Sequence, residues 1–300
     1  MSIVRPRRSA LYVPGSNERA LQKSGSLEQD IILFDLEDSV APDEKGLARA
    51  QACQAVRIHQ QRHEQVGSKE LVIRVNGGGT PWYQDDLREA VDAHPDAILL
   101  PKVDDPRQIV AAVRELEALG ARADIALWAM VETPLGVLNV ANIAASHQRL
   151  TCLVMGTSDL TNDLRALHTS DRLPLLASLG ICILAARAHQ KTILDGVSLD
   201  LSDEAAFVKA CQQGRELGFD GKTLIHPRQI GVCNEAFSPT EAEAARAYEV
   251  IAAFEAASAA GRGVTVVRGQ LIEEMHVRDA NRILALSAAI AGRRPSHRGT

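Results

Sequence analysis

The sequence has few aromatic residues, few cysteines and no long apolar run. Phe, Trp and Tyr make up 3% of the 300 residues, so the apolar content of 46% is carried mostly by Ala, Leu, Val and Ile. This composition favours helices packed on aliphatic strands over an aromatic-rich β-sandwich or a base-stacking surface. The five cysteines lie far apart and form no CxxC pair, which argues against a disulfide framework and against a zinc site.

The charge and the apolar runs exclude further classes of protein. A net charge of −5 gives no general attraction to phosphate backbones, so we expect no nucleic-acid partner. No run approaches the roughly 20 apolar residues of a membrane span. The basic N-terminal stretch also lacks the apolar region of a signal peptide. We therefore expect a cytoplasmic protein with no membrane partner.

Short aliphatic runs alternate with helical patterns through most of the chain. Eight such runs occur, at residues 9–15, 31–38, 71–77, 97–103, 125–132, 151–156, 191–196 and 221–227. Strand–helix alternation predicts a parallel sheet, and eight units predict a closed (β/α)8 barrel. A doubly wound open sheet is the alternative, but no GxGxxG motif follows the first run.

The last part of the chain has a different pattern. An Ala-rich helix is predicted at 238–261 after a Ser-Pro-Thr-Glu start, then a short hairpin or loop at 262–275 and a helix at 277–292. We predict a barrel domain of residues 1–235 and a C-terminal helical appendage of residues 236–300.

Polar residues follow nearly every predicted strand. The loops after the carboxyl ends of the strands build the active site of a parallel barrel. A solvated strand end would explain any one of these residues, but their recurrence favours a shared site. They are Asp35, Glu37, Asp38, Arg74, Asn76, Lys102, Glu132, Ser158, Asp159, Asp195 and His226.

Glu132 and Asp159 follow the fifth and sixth predicted strands, so we expect them to be neighbours on the rim. Two converging carboxylates repel each other unless a cation lies between them. Two carboxylates with waters and substrate oxygens are a usual way to hold Mg²⁺. From spacing alone, a metal site and a pair of solvated strand ends both remain open.

Arg74 ends the third predicted strand and precedes a glycine-rich stretch, residues 77–79. A guanidinium at a strand end can clamp a substrate carboxylate with two hydrogen bonds. It can equally pair with a neighbouring acid such as Asp35 or Glu37. These acids, and Asp38 beyond them, can orient Arg74 and Lys102 or hold waters near a metal.

Seven motifs occur together in an order that resembles one known family. They read RRSALYVPGSNERALQK, FDLEDSVAPDEKGLAR, IRVNGGGTPWYQDDL, AILLPKV, VETPLGV, GTSDL and GKTLIHPRQI. The chain resembles the citrate lyase β-subunit-like family, a branch of the HpcH/HpaI aldolase group that includes malyl-CoA and citramalyl-CoA lyases. The likeness is strong from residue 7 to about residue 235.

The resemblance implies a TIM barrel of the phosphoenolpyruvate/pyruvate superfamily and a Mg²⁺-dependent carbon–carbon lyase. Its substrate would be an acyl-CoA, and its second product an α-keto acid of the glyoxylate, pyruvate or oxaloacetate type. By motif, Glu132 and Asp159 become the metal ligands. The other residues that the motifs assign would be Arg74, Glu37 and Asp38 in catalysis, Arg74, Lys102, Thr133, Pro134 and Gly156 at the substrate, and Arg8 and Lys45 at CoA.

One position departs from the family pattern. In the acyl-CoA lyases a C-terminal motif supplies an aspartate from the neighbouring subunit for acid–base work, and Glu273 stands at that place here. The resemblance therefore implies a homo-oligomer, a homotrimer or homohexamer, with Glu273 as a catalytic group. The extra methylene leaves open whether Glu273 acts as the base, acts weakly or belongs to another reaction.

The leading hypothesis from the sequence is thus a Mg²⁺-dependent lyase of malyl-CoA or citramalyl-CoA type. The alternatives are a malyl-CoA thioesterase, a citrate lyase β subunit acting on a carrier-protein thioester, and a paralogue that binds ligand without turnover.

Overall fold

The computed structural model describes residues 5–63 and 69–292. These residues divide into two compact units. One unit contains residues 7–63 and 69–237, and the other contains residues 238–292 together with Arg5 and Pro6.

The larger unit is a closed barrel of eight parallel strands, as the sequence predicts. Each strand pairs with the next, and the eighth pairs with the first. Each of the eight predicted runs overlaps one strand. The strands are β1 Ser9–Pro14, β2 Ile31–Asp35, β3 Glu70–Arg74, β4 Ala97–Leu100, β5 Ala126–Val131, β6 Leu150–Met155, β7 Thr192–Asp195 and β8 Gly221–Leu224.

Helices surround the barrel, and most of them connect consecutive strands. They are α1 Glu18–Ser24, α2 Lys45–His63, α3 Tyr83–Ala93, α4 Pro106–Ala118, α5 Pro134–Ala145, α6 Thr157–Asp163, α7 Leu176–Ala188, α8 Glu204–Leu217 and α9 Gln229–Ala236. Short 3₁₀ turns precede α2 at Pro42–Glu44 and α7 at Leu173–Leu175. Side chains begin several helices; Asp105, for example, forms a capping box with Gln108 at the start of α4.

Alternation along each strand separates two apolar layers. Ile32 and Phe34 of β2 belong to the large cluster that joins the strands to the helices. Ile31 and Leu33 point the other way and pack in the barrel interior with Trp128. By the same alternation, Asp35 continues the inward row at the carboxyl end of β2, and Arg74 does so on β3.

The amino-terminal end of the barrel is closed by an ion pair. Arg7 donates to both carboxylate oxygens of Glu70 at 2.7 and 2.6 Å and to Oγ1 of Thr192 at 2.7 Å. Its guanidinium also lies 5.1 Å from the centre of the Trp128 ring. These contacts fill this end of the interior, so the chemistry-bearing side chains gather at the other end.

The C-terminal unit has its own small core. It consists of α10 Glu241–Ala259, an antiparallel hairpin of β9 Thr265–Val267 and β10 Gln270–Ile272, and α11 Glu274–Ala291. Ala247, Val250, Val267, Ile272 and Ala280 pack together in it. The last helix begins three residues earlier than predicted, because Glu273 takes the N-cap position and its N–H donates to Nδ1 of His276. Among the described helices, none is long and apolar enough to span a membrane.

Candidate active site

The candidate site lies at the carboxyl ends of β2 to β6. The structure brings seven of the predicted residues together at this rim through direct ion pairs or hydrogen bonds. These residues are Asp35, Glu37, Asp38, Arg74, Lys102, Glu132 and Asp159.

Arg74 is held by an acid on the neighbouring strand. Its Nε and Nη2 donate to Oδ1 and Oδ2 of Asp35 at 2.6 and 2.7 Å, and its Nη1 lies 2.8 Å from Oε2 of Glu37. Both Arg74 and Asp35 are buried. Of the two interpretations that the sequence left open, the structure thus shows the pairing with a neighbouring acid. The role of Arg74 as a clamp for substrate stays a prediction.

This pairing fixes the charge states of the two residues. Burial opposes ionisation of Asp35, but the charge and hydrogen bonds of Arg74 outweigh it and hold the pKa of the carboxyl below its ordinary 3.8. Burial likewise acts against the charge of Arg74, and Asp35 more than compensates, so the pKa of the guanidinium stands well above its usual value. The pair is therefore ionised at neutral pH.

Glu37 is a different kind of carboxyl. Burial raises its pKa, the charge of Arg74 lowers it, and Asp38 raises it again. Its Oε1 lies 3.3 Å from Nζ of Lys102, so it joins two cations of the rim. A carboxyl with a raised pKa and a place at the rim can exchange a proton with a bound substrate.

Glu132 is buried directly after β5 and packs against the loop that follows β4. The backbone N–H of Lys102 donates to its Oε1 at 2.7 Å. Lys102 reaches this position with a left-handed backbone, φ 49°. On the other side, a β-carbon at Gly156 would overlap the Glu132 side chain, so only glycine leaves room there.

The surroundings of Glu132 disfavour its negative charge. Burial raises the pKa of this carboxyl to about 7; the N–H of Lys102 lowers it, and the charges of Glu37 and Asp159 raise it. A cation bound here would therefore favour the charged form of Glu132 and lower the pKa of its carboxyl.

Asp159 lies in the first turn of α6 and is partly exposed. Its Oδ2 lies 3.8 Å from Nζ of Lys102. The backbone N–H of the same lysine donates to Glu132, so Lys102 contacts both carboxylates. Within residues 5–63 and 69–292, no group of three or more His, Cys, Asp or Glu side chains is arranged to hold a metal ion. The site therefore offers a pair of carboxylates, which suits a hard cation that keeps part of its shell for water and substrate.

Thr133 and Pro134 begin helix α5. The Thr133 hydroxyl accepts from the N–H of Gly136 at 3.0 Å and donates to Oδ1 of Asp104, so it caps the helix. Pro134 occupies the first helical position, where a missing N–H has no cost. Both residues fix the chain directly after Glu132, and their contact with substrate stays a prediction.

The two residues predicted to bind CoA, Arg8 and Lys45, have hydrogen-bond partners within the chain. Arg8 precedes β1, at the amino-terminal end of the barrel, where it is bonded to Asp30 at 2.8 Å. Arg8 and Glu132 thus lie at opposite ends of the barrel, and the contact of Arg8 with CoA stays a prediction. Lys45 donates to the carbonyl oxygens of Leu36 and Glu37 at 2.8 Å each, so it holds the loop after β2. Its contact with CoA stays a prediction.

Two other strand-end residues do not join the rim cluster. Asp195 points towards the helices, where its carboxylate binds Arg172 at 2.7 Å and Lys222 at 3.1 Å beside Gly214 of α8. The Nδ1 of His226 accepts from the N–H of Arg228 at 3.1 Å and so organises the turn after β8.

Glu273 is an exposed residue of the C-terminal unit and the N-cap of α11. Its catalytic role stays a prediction.

Sequence reasoning missed Tyr12 and Asp86. The Tyr12 ring faces the Arg74 guanidinium, 4.9 Å away, and its hydroxyl lies 3.7 Å from Sδ of Met130.

Asp86 is fully buried, accepts from the N–H and side-chain amide of Asn76 and binds Arg49 at 2.7 Å. Alternation from Ala10 would have placed Tyr12 in the interior, but no local pattern marks Asp86 as the partner of Asn76.

Comparison with known proteins identifies the family of this chain. The family model described as HpcH/HpaI aldolase/citrate lyase matches residues 8–227. The (3S)-malyl-CoA thioesterase of Cereibacter sphaeroides is 48% identical over 97% of this chain and 98% of its own, and the L-malyl-CoA/beta-methylmalyl-CoA lyase of the same species is 33% identical over 96% of each.

A solved structure agrees with these relatives. Protein CitE from Mycobacterium tuberculosis, in complex with magnesium, acetoacetate and coenzyme A, superposes with a TM-score of 0.73 and 26% identity over 93% of this chain and 97% of its own. The family match spans the barrel and every rim residue described above. This chain belongs to the HpcH/HpaI aldolase/citrate lyase family.

Proposed function

We propose that this chain is a Mg²⁺-dependent hydrolase of a malyl-CoA-type thioester. The rim of the barrel carries the proposal: Glu132, Asp159 and Lys102 converge beside the Arg74–Glu37 pair. The thioesterase relative, at 48% identity over nearly the whole chain, favours hydrolysis over the carbon–carbon cleavage that the motifs placed first.

The donor set fits Mg²⁺. Glu132 and Asp159 would hold the cation, because each presents carboxylate oxygen and the charge of Asp159 adds to the negative surroundings of Glu132. The relative from M. tuberculosis was solved with magnesium beside acetoacetate and coenzyme A. When bound, the cation would polarise substrate oxygens and offset their developing negative charge.

The other rim residues would position the substrate and transfer protons. Lys102 fixes Glu132 through its N–H and leaves its half-exposed ammonium near the rim for a substrate carboxylate. Glu37, whose pKa burial raises, is placed to take a proton from the attacking water. Water then adds to the thioester carbonyl, and the C–S bond breaks as the proton held by Glu37 passes to the departing sulfur. The products are the hydroxy dicarboxylic acid and the CoA thiol.

Carbon–carbon cleavage is the second candidate, favoured by the lyase relative at 33% identity. In that reaction a base takes the proton of the 3-hydroxyl and the bond between C2 and C3 breaks. Acetyl-CoA and glyoxylate are the products of malyl-CoA, and no free thiol is released.

One assay separates the two reactions. Purified chain with Mg²⁺ and (3S)-malyl-CoA is followed for free thiol with a thiol reagent and for glyoxylate as its hydrazone. Thiol without glyoxylate supports hydrolysis, and glyoxylate without thiol selects the lyase. If neither thiol nor glyoxylate forms, both reactions are ruled out. Calorimetric binding without turnover would then indicate a ligand-binding paralogue. The Glu117→Gln variant, altered at an exposed α4 position, is the control and should match wild type.

A further inference from the structure

Two cysteines that the proposed chemistry does not use meet between neighbouring helices of the barrel. Cys211 of α8 and Cys233 of α9 are fully buried, and the two helices pack against each other. Their thiols share a hydrogen bond, and the Cys233 thiol also donates to the carbonyl oxygen of Arg8 at 3.1 Å. Because the sulfur atoms are already in contact, small adjustments of the two side chains would bring them to the bonded distance of about 2.05 Å.

A group of buried charges lies beside the two thiols. The Asp195 carboxylate at the end of β7 binds Lys222 at 3.1 Å and Arg172 at 2.7 Å. Asp195 and Lys222 are buried, and Nη2 of Arg172 is buried with no hydrogen-bond partner in the described part of the chain. Another nearby acid, Asp30, is already paired with Arg8 at 2.8 Å. Two cations thus share one carboxylate, and positive charge is in excess next to the cysteines.

This excess of positive charge favours the ionised form of Cys211. The hydrogen bond with Cys233 lowers the pKa of the Cys211 thiol below its ordinary value, although burial acts in the opposite direction. The charges of Lys222 and Arg172 lower this pKa further, and Asp195 only partly opposes them. Burial and the same hydrogen bond raise the pKa of Cys233, so its thiol stays protonated. A cysteine of low pKa beside a protonated one is the arrangement of a redox-active cysteine and its resolving partner.

We propose that Cys211 and Cys233 form a redox site, activated by the buried cations, at which hydrogen peroxide converts the two thiols into a reversible disulfide. The Cys211 sulfur attacks one peroxide oxygen, the O–O bond breaks, and a sulfenic acid and one water form. The Cys233 sulfur then displaces the sulfenic hydroxyl, which leaves with the Cys233 proton as a second water. Two electrons pass from the sulfur atoms to the peroxide, and a dithiol reductant reverses the oxidation. Hydrogen peroxide is small enough to reach the pair during local opening of the two helices.

The first test exposes the purified chain to hydrogen peroxide, alkylates the remaining thiols under denaturing conditions and maps disulfides by mass spectrometry. Wild type should carry one disulfide, between Cys211 and Cys233, that dithiothreitol removes. Cys182→Ala is the control and should behave as wild type, because Cys182 is also fully buried but burial raises the pKa of its thiol. Alkylation of all five cysteines after peroxide, or a disulfide that joins other cysteines, overturns the proposal.

The second test removes one of the buried cations. Lys222→Met leaves Asp195 paired with Arg172 alone, so the excess charge disappears while the carboxylate keeps a partner. The disulfide should then form at least about tenfold more slowly, which corresponds to a change of one pKa unit. Lys209→Met, at an exposed position of α8, is the control and should keep the wild-type rate. Circular dichroism establishes that both variants are folded, and a wild-type rate in folded Lys222→Met contradicts the proposal.

Discussion

The backbone N–H of Lys102 donates a hydrogen bond of 2.7 Å to Oε1 of Glu132, and Lys102 holds a φ of 49° to do so. A side chain in this left-handed region costs of order 1 kcal/mol or more, and glycine avoids most of that cost. The strain lies next to the carboxylate that we propose as a metal ligand. The two residues therefore link a backbone conformation to the chemistry of the rim.

Lys102→Gly and Lys102→Ala both remove the ammonium, but only glycine adopts the left-handed conformation without steric strain. We expect the free energy of unfolding of Lys102→Gly to exceed that of Lys102→Ala by about 1 kcal/mol, measured by chemical denaturation. Equal stabilities would show that the left-handed conformation is not maintained in solution.

Glu132→Gln keeps the shape of the side chain and removes its charge. We expect Mg²⁺ binding, measured by calorimetry, to weaken by at least about 100-fold, since loss of a direct ligand should cost no less than loss of an outer-sphere partner. Turnover should fall in parallel. Glu117→Gln should bind Mg²⁺ as wild type does. Undiminished binding in Glu132→Gln would place the metal elsewhere.

Gly156→Ala inserts a methyl group where the Glu132 side chain lies. We expect turnover to fall about 100-fold, because a displacement of about 1 Å at a catalytic group has effects of this size. The control is Gly231→Ala in α9, whose β-carbon would meet open space and should leave kcat unchanged with equal or slightly higher stability. Full activity of Gly156→Ala would mean that Glu132 can move freely.

The Asp35–Arg74 pair predicts a loss of stability in acid. The pKa of Asp35 is held below 3.8, so its contribution is complete above that ordinary value and is lost as pH falls through the lower folded-state value. Asp35→Asn should destabilise the protein by about 3 kcal/mol at pH 7, because Arg74 stays buried without its main partner.

The difference between wild type and Asp35→Asn should therefore narrow as pH falls below about 3.8, in denaturation curves from pH 7 to pH 3. Asp124→Asn is the comparison, since Asp124 also pairs with an arginine, Arg122, but both side chains are exposed. That variant should differ little from wild type at any pH. A constant gap for Asp35→Asn would contradict the assigned charge state.

Glu273 is the predicted proton carrier of the C-terminal unit. General acid–base groups accelerate a reaction by about 10²- to 10⁴-fold, so Glu273→Gln should lower kcat by a factor in that range. Glu273→Asp should retain most of the wild-type kcat. The neighbouring exposed Glu274→Gln serves as the control. Turnover of Glu273→Gln equal to that of the control would remove Glu273 from the mechanism.

Sequence patterns alone predicted the barrel and most of its rim. Strand–helix alternation is local, and the ends of parallel strands must share one edge, so Glu132, Asp159 and Lys102 were expected together before any coordinates. The motifs also identified the family. These features follow from periodicity and chain order, which a single sequence contains in full.

The direction in which each strand-end side chain points, and the groups that it binds, required the packed structure. Side chains alternate between the two faces of a strand, so the last residue of a strand can lie on either face. Asp195, the last residue of β7, points towards the helices, whereas Arg74, the last residue of β3, faces the interior. The choice of Asp35 as partner of Arg74 and the left-handed backbone at Lys102 depend on contacts between residues 39 and 30 positions apart in the chain. Such contacts are set by packing around the closed barrel, and local sequence patterns do not encode them.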